Sequence, residues 1–389
     1  MPQMISSGAI IPLDDLIKNA PNLLKSIPQQ QWNTNKFNNK IYGIPLGHTQ
    51  GQVGGIMIRG DLREKYGLPK IKTNEDIKNF LYAVKKNNPE MIPFGAEGRN
   101  AGFASDTFNP FNGDGVYHGI ATNVPLTYIN AQDKVVPLWE QDGFQDAMKN
   151  TTQLYKDGIF EKNVMMQENT VQMFNEGKVG AVLYFSDGVE GLKYQEALKK
   201  GFKEEIVMIG EGKGAISSFK QWNFLSIPKV SKHPELVIAF ADWVSIKENH
   251  DLVEYGIEGK NWTPTGEDSY KIMEGSQYSF PGYVLTWRPG MTRTPDTMTP
   301  DDKKWYKWAQ NPNNFATSKA AGFTVNTDSI KSEVAKLSPL YDTIFKPLAV
   351  GVLTADKGLD QLKKEAKAAG IDTIISEIQK QYDAFRANQ

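Results

Sequence analysis

The chain has 389 residues, 40% of them hydrophobic and 23% charged, with a formal net charge of -1. That length is too great for one ordinary core and fits two lobes, while the balanced charge leaves no basic excess to neutralise nucleic-acid phosphates. The absence of cysteine excludes disulfides, thiol catalysis, thiolate metal sites and iron–sulfur clusters, and no apolar run reaches the ~18 residues of a membrane span.

In chain order the pattern alternates strands and helices. Pro12-Leu13-Asp14-Asp15-Leu16-Ile17 opens a short helix, and Lys40 to Pro45 reads as a strand behind an Asn38-Asn39 turn. Thr73 is an N-cap with Asp76 at the capping-box position, and Ile77, Phe80, Leu81 and Val84 share one helical face. Lys178 to Phe185 is a strand, with Gly177 closing the helix before it. Trp222 to Ile227 is another strand. Pro234 then starts a helix expected to turn Leu236, Val237, Phe240, Ala241 and Val244 inward. Leu359 and Leu362 mark one late amphipathic helix; after Gly370, Ile371, Ile374, Ile375, Ile378, Tyr382 and Phe385 mark the last. Such alternation, without one long βαβ run, suits two α/β lobes joined by several crossings.

Eight Trp, 15 Tyr and 19 Phe are a generous aromatic content, and many stand in polar, Gly/Asn-rich surroundings. Core packing accounts for most of them. A pyranose ring, however, stacks its C–H face on a flat side chain and offers hydroxyls to amides and carboxylates. Catalytic patterns are scarce. His48, His118, His233 and His250 form no zincin pair, no G-x-S-x-G elbow occurs, and Gly210-Glu211-Gly212-Lys213-Gly214 lacks the Walker spacing. The doublets Asp14-Asp15 and Asp301-Asp302 each stand at a helix start, where acids favour the positive end of the dipole. Asp106, Asp114 and Asp187 stand in Gly/aromatic loops better placed to meet a ligand, and no cofactor or metal-ligand motif is present. A glycan hydrolase or lyase using cleft carboxylates remains an alternative, as does a receptor for a peptide or polyamine.

Several segments together resemble the family 1 extracellular solute-binding proteins, the carbohydrate receptors of bacterial ABC importers, in the lipoprotein branch of Gram-positive bacteria. Gly8 to Ile17 is similar to that family's G-x-i-x-P-L-d-d-l-i, and Asn39 to Pro45 to its G-K-i-Y-g-i-P strand. Ile58 to Pro69 matches i-R-k-D-w-L-d-k-l-G-l, followed by Lys72-Thr73-Asn74-Glu75-Asp76. Leu154 to Ile159, Phe174 to Gly180, Ile227 to Glu235 and Tyr255 to Gly259 continue the series in the family's order. Each motif is weak alone; the order over nearly the whole chain carries the resemblance.

The resemblance implies a type II, two-lobed α/β periplasmic-binding-protein-like fold, with hinge strands after Pro45 and around Phe224-Leu225. The lobes expected are 1–52 with 226–330 (N-terminal) and 53–225 with 331–389 (C-terminal). It further implies a non-enzymatic protein that captures a carbohydrate, expected to be an oligosaccharide, and passes it to ABC permease subunits. His48, Gln50, Arg99, Asp106, Phe108, Tyr184, Asp187, Trp222, Trp287, Arg288 and Phe323 would meet the ligand. Family members begin with a lipobox cysteine and first strands that this sequence does not show. The expectation is an incomplete N-terminal lobe, with exposed strand edges open to self-association, in a protein that is extracellular and lipid-anchored at full length.

Overall fold

The computed structural model describes residues 4–5, 7–37, 39–47, 54–96, 119–141, 143–167, 169–185, 195–208, 216–217, 221, 223–288 and 290–387. The chain divides into two compact units, Met1–Gln52 with Ser217–Thr317 and Val53–Ile216 with Ser318–Gln389. The later crossings come earlier than the expected breaks after residues 225 and 330, for a packing reason. Strand Asn223–Leu225 pairs with Ile44–Leu46 in the first unit, while Val325 and Ile330 are buried in the core of the second.

In the first unit, short helices Asp14–Ile17, Pro21–Ser26 and Gln29–Thr34 precede strand Ile44–Leu46. The strand is shorter than Lys40 to Pro45, because Lys40 exchanges both backbone hydrogen bonds with Phe37 across the Asn turn. Leu13, Ile17, Leu23, Ile27, Trp32, Ile44, Ile227, Ile238 and Ala241 form the core here. Helix Pro234–Trp243 is fixed to it by Asp242, whose carboxylate accepts from the Leu23 N–H and the Asn22 amide, each at 2.9 Å. Its inward face departs from expectation. Ala241 and Val244 are buried and Val237 packs at the core edge, but Leu236 is 61% and Phe240 38% exposed, and Ile238 is buried instead. The segment is apolar nearly all round, so periodicity alone does not choose a face. Further along, helix Lys247–Tyr255 precedes strands Trp262–Gly266 and Ser269–Ile272, which pair antiparallel, and Thr294–Pro295 joins the latter in parallel. Thr299 caps helix Pro300–Gln310, accepting from the Asp302 N–H, so the Asp301-Asp302 doublet does stand at a helix start.

The second unit is built on a four-stranded sheet in the order Ile92–Gly95, Val179–Phe185, Gly54–Arg59, Glu204–Val207. Only the first pair is parallel. Ile56, Met57 and Ile58 are consecutively buried, the mark of a strand covered on both faces. Helix Asn74–Asn87 packs on this sheet through Ile77, Phe80, Leu81 and Val84 and starts on the expected capping box. Gly177 (φ +78°) ends helix Thr170–Glu176 before the Val179–Phe185 strand. A three-stranded antiparallel sheet, Gly119–Ala121, Thr127–Asn130 and Val135–Pro137, lies alongside helix Ile371–Ala387. That last helix follows Gly370 and buries Ile371, Ile374, Ile378 and Tyr382.

Candidate ligand-binding site

The first unit contains the most constrained of the expected contact residues. Where the chain leaves strand Ile44–Leu46, Gly47 adopts φ +99°, a conformation that favours glycine. Its N–H donates to the Trp287 carbonyl at 2.9 Å. A β-carbon at Gly47 would stand 3.2 Å from Cε3 of the Trp287 indole, so the ring rests on bare backbone and is half-buried. Arg288, the next residue, is only 4% exposed. Its Nη1 donates to the Ser245 hydroxyl, and its carbonyl accepts from the N–H groups of Met291 (2.8 Å) and Thr292 (3.2 Å).

Helix Lys247–Tyr255 holds this irregular segment in place. Lys247, Asp251 and Glu254 recur at i, i+4 and i+7, one face of the helix. Glu254 accepts from the Thr286 hydroxyl at 2.9 Å, Lys247 donates to the Met291 carbonyl at 2.8 Å, and Arg293 Nε donates to Asp251 at 2.9 Å. The Tyr255 hydroxyl accepts from the Arg293 N–H at 2.8 Å. Gly282 lies so close to the helix that a β-carbon there would come within 2.3 Å of the Val253 carbonyl. Burial disfavours the charge on Asp251, yet His250, Lys247 and Arg293 hold its carboxyl below the usual range. Burial pushes the Glu254 carboxyl up, against the opposing Thr286 bond and His250. Burial also lowers the Arg288 guanidinium to about 10, with Asp242 pulling the other way.

The structure therefore brings Trp287 and Arg288 together on a clamped segment. Tyr184 is elsewhere, in strand Val179–Phe185 opposite Gly55. It is fully buried and has no ring face open to a ligand, because that strand is central in its sheet. Phe323 is half-buried and packs edge-on against Tyr382 (5.2 Å between ring centres) and beside Phe385 (5.4 Å) in the second unit. His48, Gln50, Arg99, Asp106, Phe108, Asp187 and Trp222 lie outside the described residues. A groove of about 800 Å³ in the second unit, lined among others by Trp139, Glu140, Gln141, Asp146, Lys363 and Lys367, contains none of the expected residues. Among the described residues no cluster of three or more His, Asp or Glu could hold a metal ion.

Sequence reasoning missed Gly47, Ser245, Asp251 and Glu254. The i, i+4, i+7 spacing of Lys247, Asp251 and Glu254 was a usable signal for the helix. Nothing local marks Gly47 as the seat for Trp287, far along the chain.

The chain thus forms two units linked by three crossings, the first of which holds an aromatic and a buried cation on a braced loop. Residues 1–254 match the family model for the bacterial extracellular solute-binding proteins, and the chain belongs to that family. Residues 319–387 match a domain of unknown function, DUF3502. A carbohydrate ABC transporter substrate-binding protein of Streptococcus pneumoniae is 23% identical, over 98% of this chain and 77% of its own length. Lipoprotein LipO of Bacillus subtilis is 22% identical over 66% of this chain and 53% of its own length. Among solved structures, the N-glycan transport solute binding protein NgtS of S. pneumoniae superposes with a TM-score of 0.79 at 21% identity, over 99% of this chain and 84% of that one. That likeness establishes the fold, the α/β solute-binding-protein fold expected from the sequence.

Proposed function

We propose that this protein captures a carbohydrate outside the cell and delivers it to the membrane subunits of an ABC importer, held at the cell surface by a lipid anchor. The observation that carries the reading is Trp287, whose indole rests on Gly47 and is braced through its neighbours. A flat ring fixed in this way offers the C–H face of a sugar a surface already in its bound geometry, so little ordering entropy is lost on binding. Support comes from the family and from relatives named for carbohydrate transport. Trp287 and Arg288 are the contacts proposed from this segment. His48 and Gln50 follow within three positions of Gly47, and Arg99, Asp106, Phe108, Asp187 and Trp222 complete the set.

Trp287→Ala tests the contact. It is expected to weaken binding of the best oligosaccharide by roughly 5- to 30-fold, about 1–2 kcal/mol, with little change in thermal midpoint without ligand. Calorimetric titration of both proteins checks this; equal affinities would remove Trp287 from the site.

A further inference from the structure

Three arginines of this molecule place Nε against a carboxylate, and Arg288 does not. Arg59 donates from Nε and Nη2 to the two oxygens of Asp61, at 2.8 and 2.7 Å. Arg63 Nε donates to Glu205 at 2.7 Å, and Arg293 Nε to Asp251 at 2.9 Å. Each of these guanidinium groups thus spends Nε on a carboxylate, and Arg59 takes both oxygens of one, the planar partner that this edge fits. Arg288 is as buried as any of them, at 4% exposure. Its Nη1 is bound to Ser245, but Nε and Nη2 are shielded from solvent and have no hydrogen-bond partner among the described residues.

The carboxylates of its own unit that bear on this region are committed elsewhere. Asp242 is taken by Leu23 and Asn22, Asp251 by Lys247 and Arg293, and Glu254 by Thr286. Asp242 acts on Arg288 only through space. A buried guanidinium with an unmet bidentate edge is costly to keep unless something completes it. Trp287, the residue already assigned to sugar stacking, is its immediate neighbour in the chain.

We infer that Arg288 receives a carboxylate borne by the captured saccharide, so that the solute is an acidic carbohydrate containing a uronic or comparable sugar acid. This rests on the carbohydrate reading above. One sugar ring and its own carboxylate are separated by a few bonds, so stacking on Trp287 and pairing with Arg288 can be satisfied by a single residue of the glycan. Because the Nε edge is shielded, a carboxylate must displace the groups that cover it. Once formed, the pair is screened little by salt. A hydroxyl in the same place would leave the charge uncompensated, which makes the position selective for acids rather than merely polar.

The test compares three probes with the full chain by calorimetry: a trisaccharide terminating in a hexuronic acid, its methyl ester, and the neutral hexose parent. Wild type is expected to bind the acid at least about tenfold tighter than the ester or the neutral parent. Arg288→Gln should erase that preference, its affinity for the acid falling to that for the ester, and Arg288→Lys, which keeps the charge without the fork, should restore only part of it. Equal binding of acid and ester by wild type overturns the proposal while leaving carbohydrate capture standing, and needs no variant to fold. Equal loss for all three probes in Arg288→Gln also overturns it, making Arg288 a structural cation. Binding of none of the probes, nor of any other glycan, overturns the carbohydrate reading and this inference with it.

Discussion

At Glu254 burial and hydrogen bonding pull in opposite directions, and burial prevails, so the carboxyl titrates above its ordinary value. A raised carboxylate pKa means that the folded state holds its proton more tightly than the unfolded chain does. The associated stability is present below the unfolded value and is lost as pH rises through the folded one. Glu254→Gln keeps an acceptor for the Thr286 hydroxyl and cannot ionise. Its thermal midpoint should therefore gain on wild type as pH rises from about 4 to about 8; a difference that stays flat with pH would contradict the assignment. Asp251 behaves oppositely. Although burial works against its charge, the cations around it lower its pKa, and its contribution is lost on acidification. Asp251→Asn should cost about 1–3 kcal/mol at neutral pH, because it strands the part-buried Lys247 and Arg293, and less toward pH 3. Denaturant unfolding at the two pH values measures the difference. None of this coupling was legible residue by residue, since Thr286 and Glu254 stand 32 positions apart in the chain.

Elements defined by local chemistry were legible in the sequence. The Thr73–Asp76 capping box, the Gly177 and Gly370 helix ends and the apolar stripe of helix Ile371–Ala387 are all short-range signals, and the chain folds accordingly. Helix Pro234–Trp243 shows where such signals stop. Its apolar residues surround the axis, and its orientation is set by Asp242 reaching the N-terminus of helix Pro21–Ser26, a contact no window of sequence contains. The corrected face is testable. Ile238→Ala should destabilise by about 2–5 kcal/mol, whereas Leu236→Lys should change stability by no more than about 0.5 kcal/mol. Urea denaturation of the two variants distinguishes them, and a large loss for Leu236→Lys with none for Ile238→Ala would restore the face first expected. Tyr184 is an element-scale lesson as well. Its place in a central strand buries it, although the family resemblance put it against the ligand.

For the whole molecule, family membership was readable because weak motifs recur in a fixed order along the chain, and the match over residues 1–254 rests on the same breadth. Ligand chemistry was much less readable. It depends on side chains from distant segments meeting, as Gly47 and Trp287 do, and on which charges remain uncompensated after folding. Capture without chemistry is the central claim, and calorimetric titration of the intact protein with a panel of neutral and acidic oligosaccharides, with product analysis of the same samples, tests it most directly. The account predicts saturable binding of at least one glycan, a raised thermal midpoint in its presence, and recovery of that glycan unchanged. Cleavage of the glycan, or no binding by any member of the panel, would contradict it.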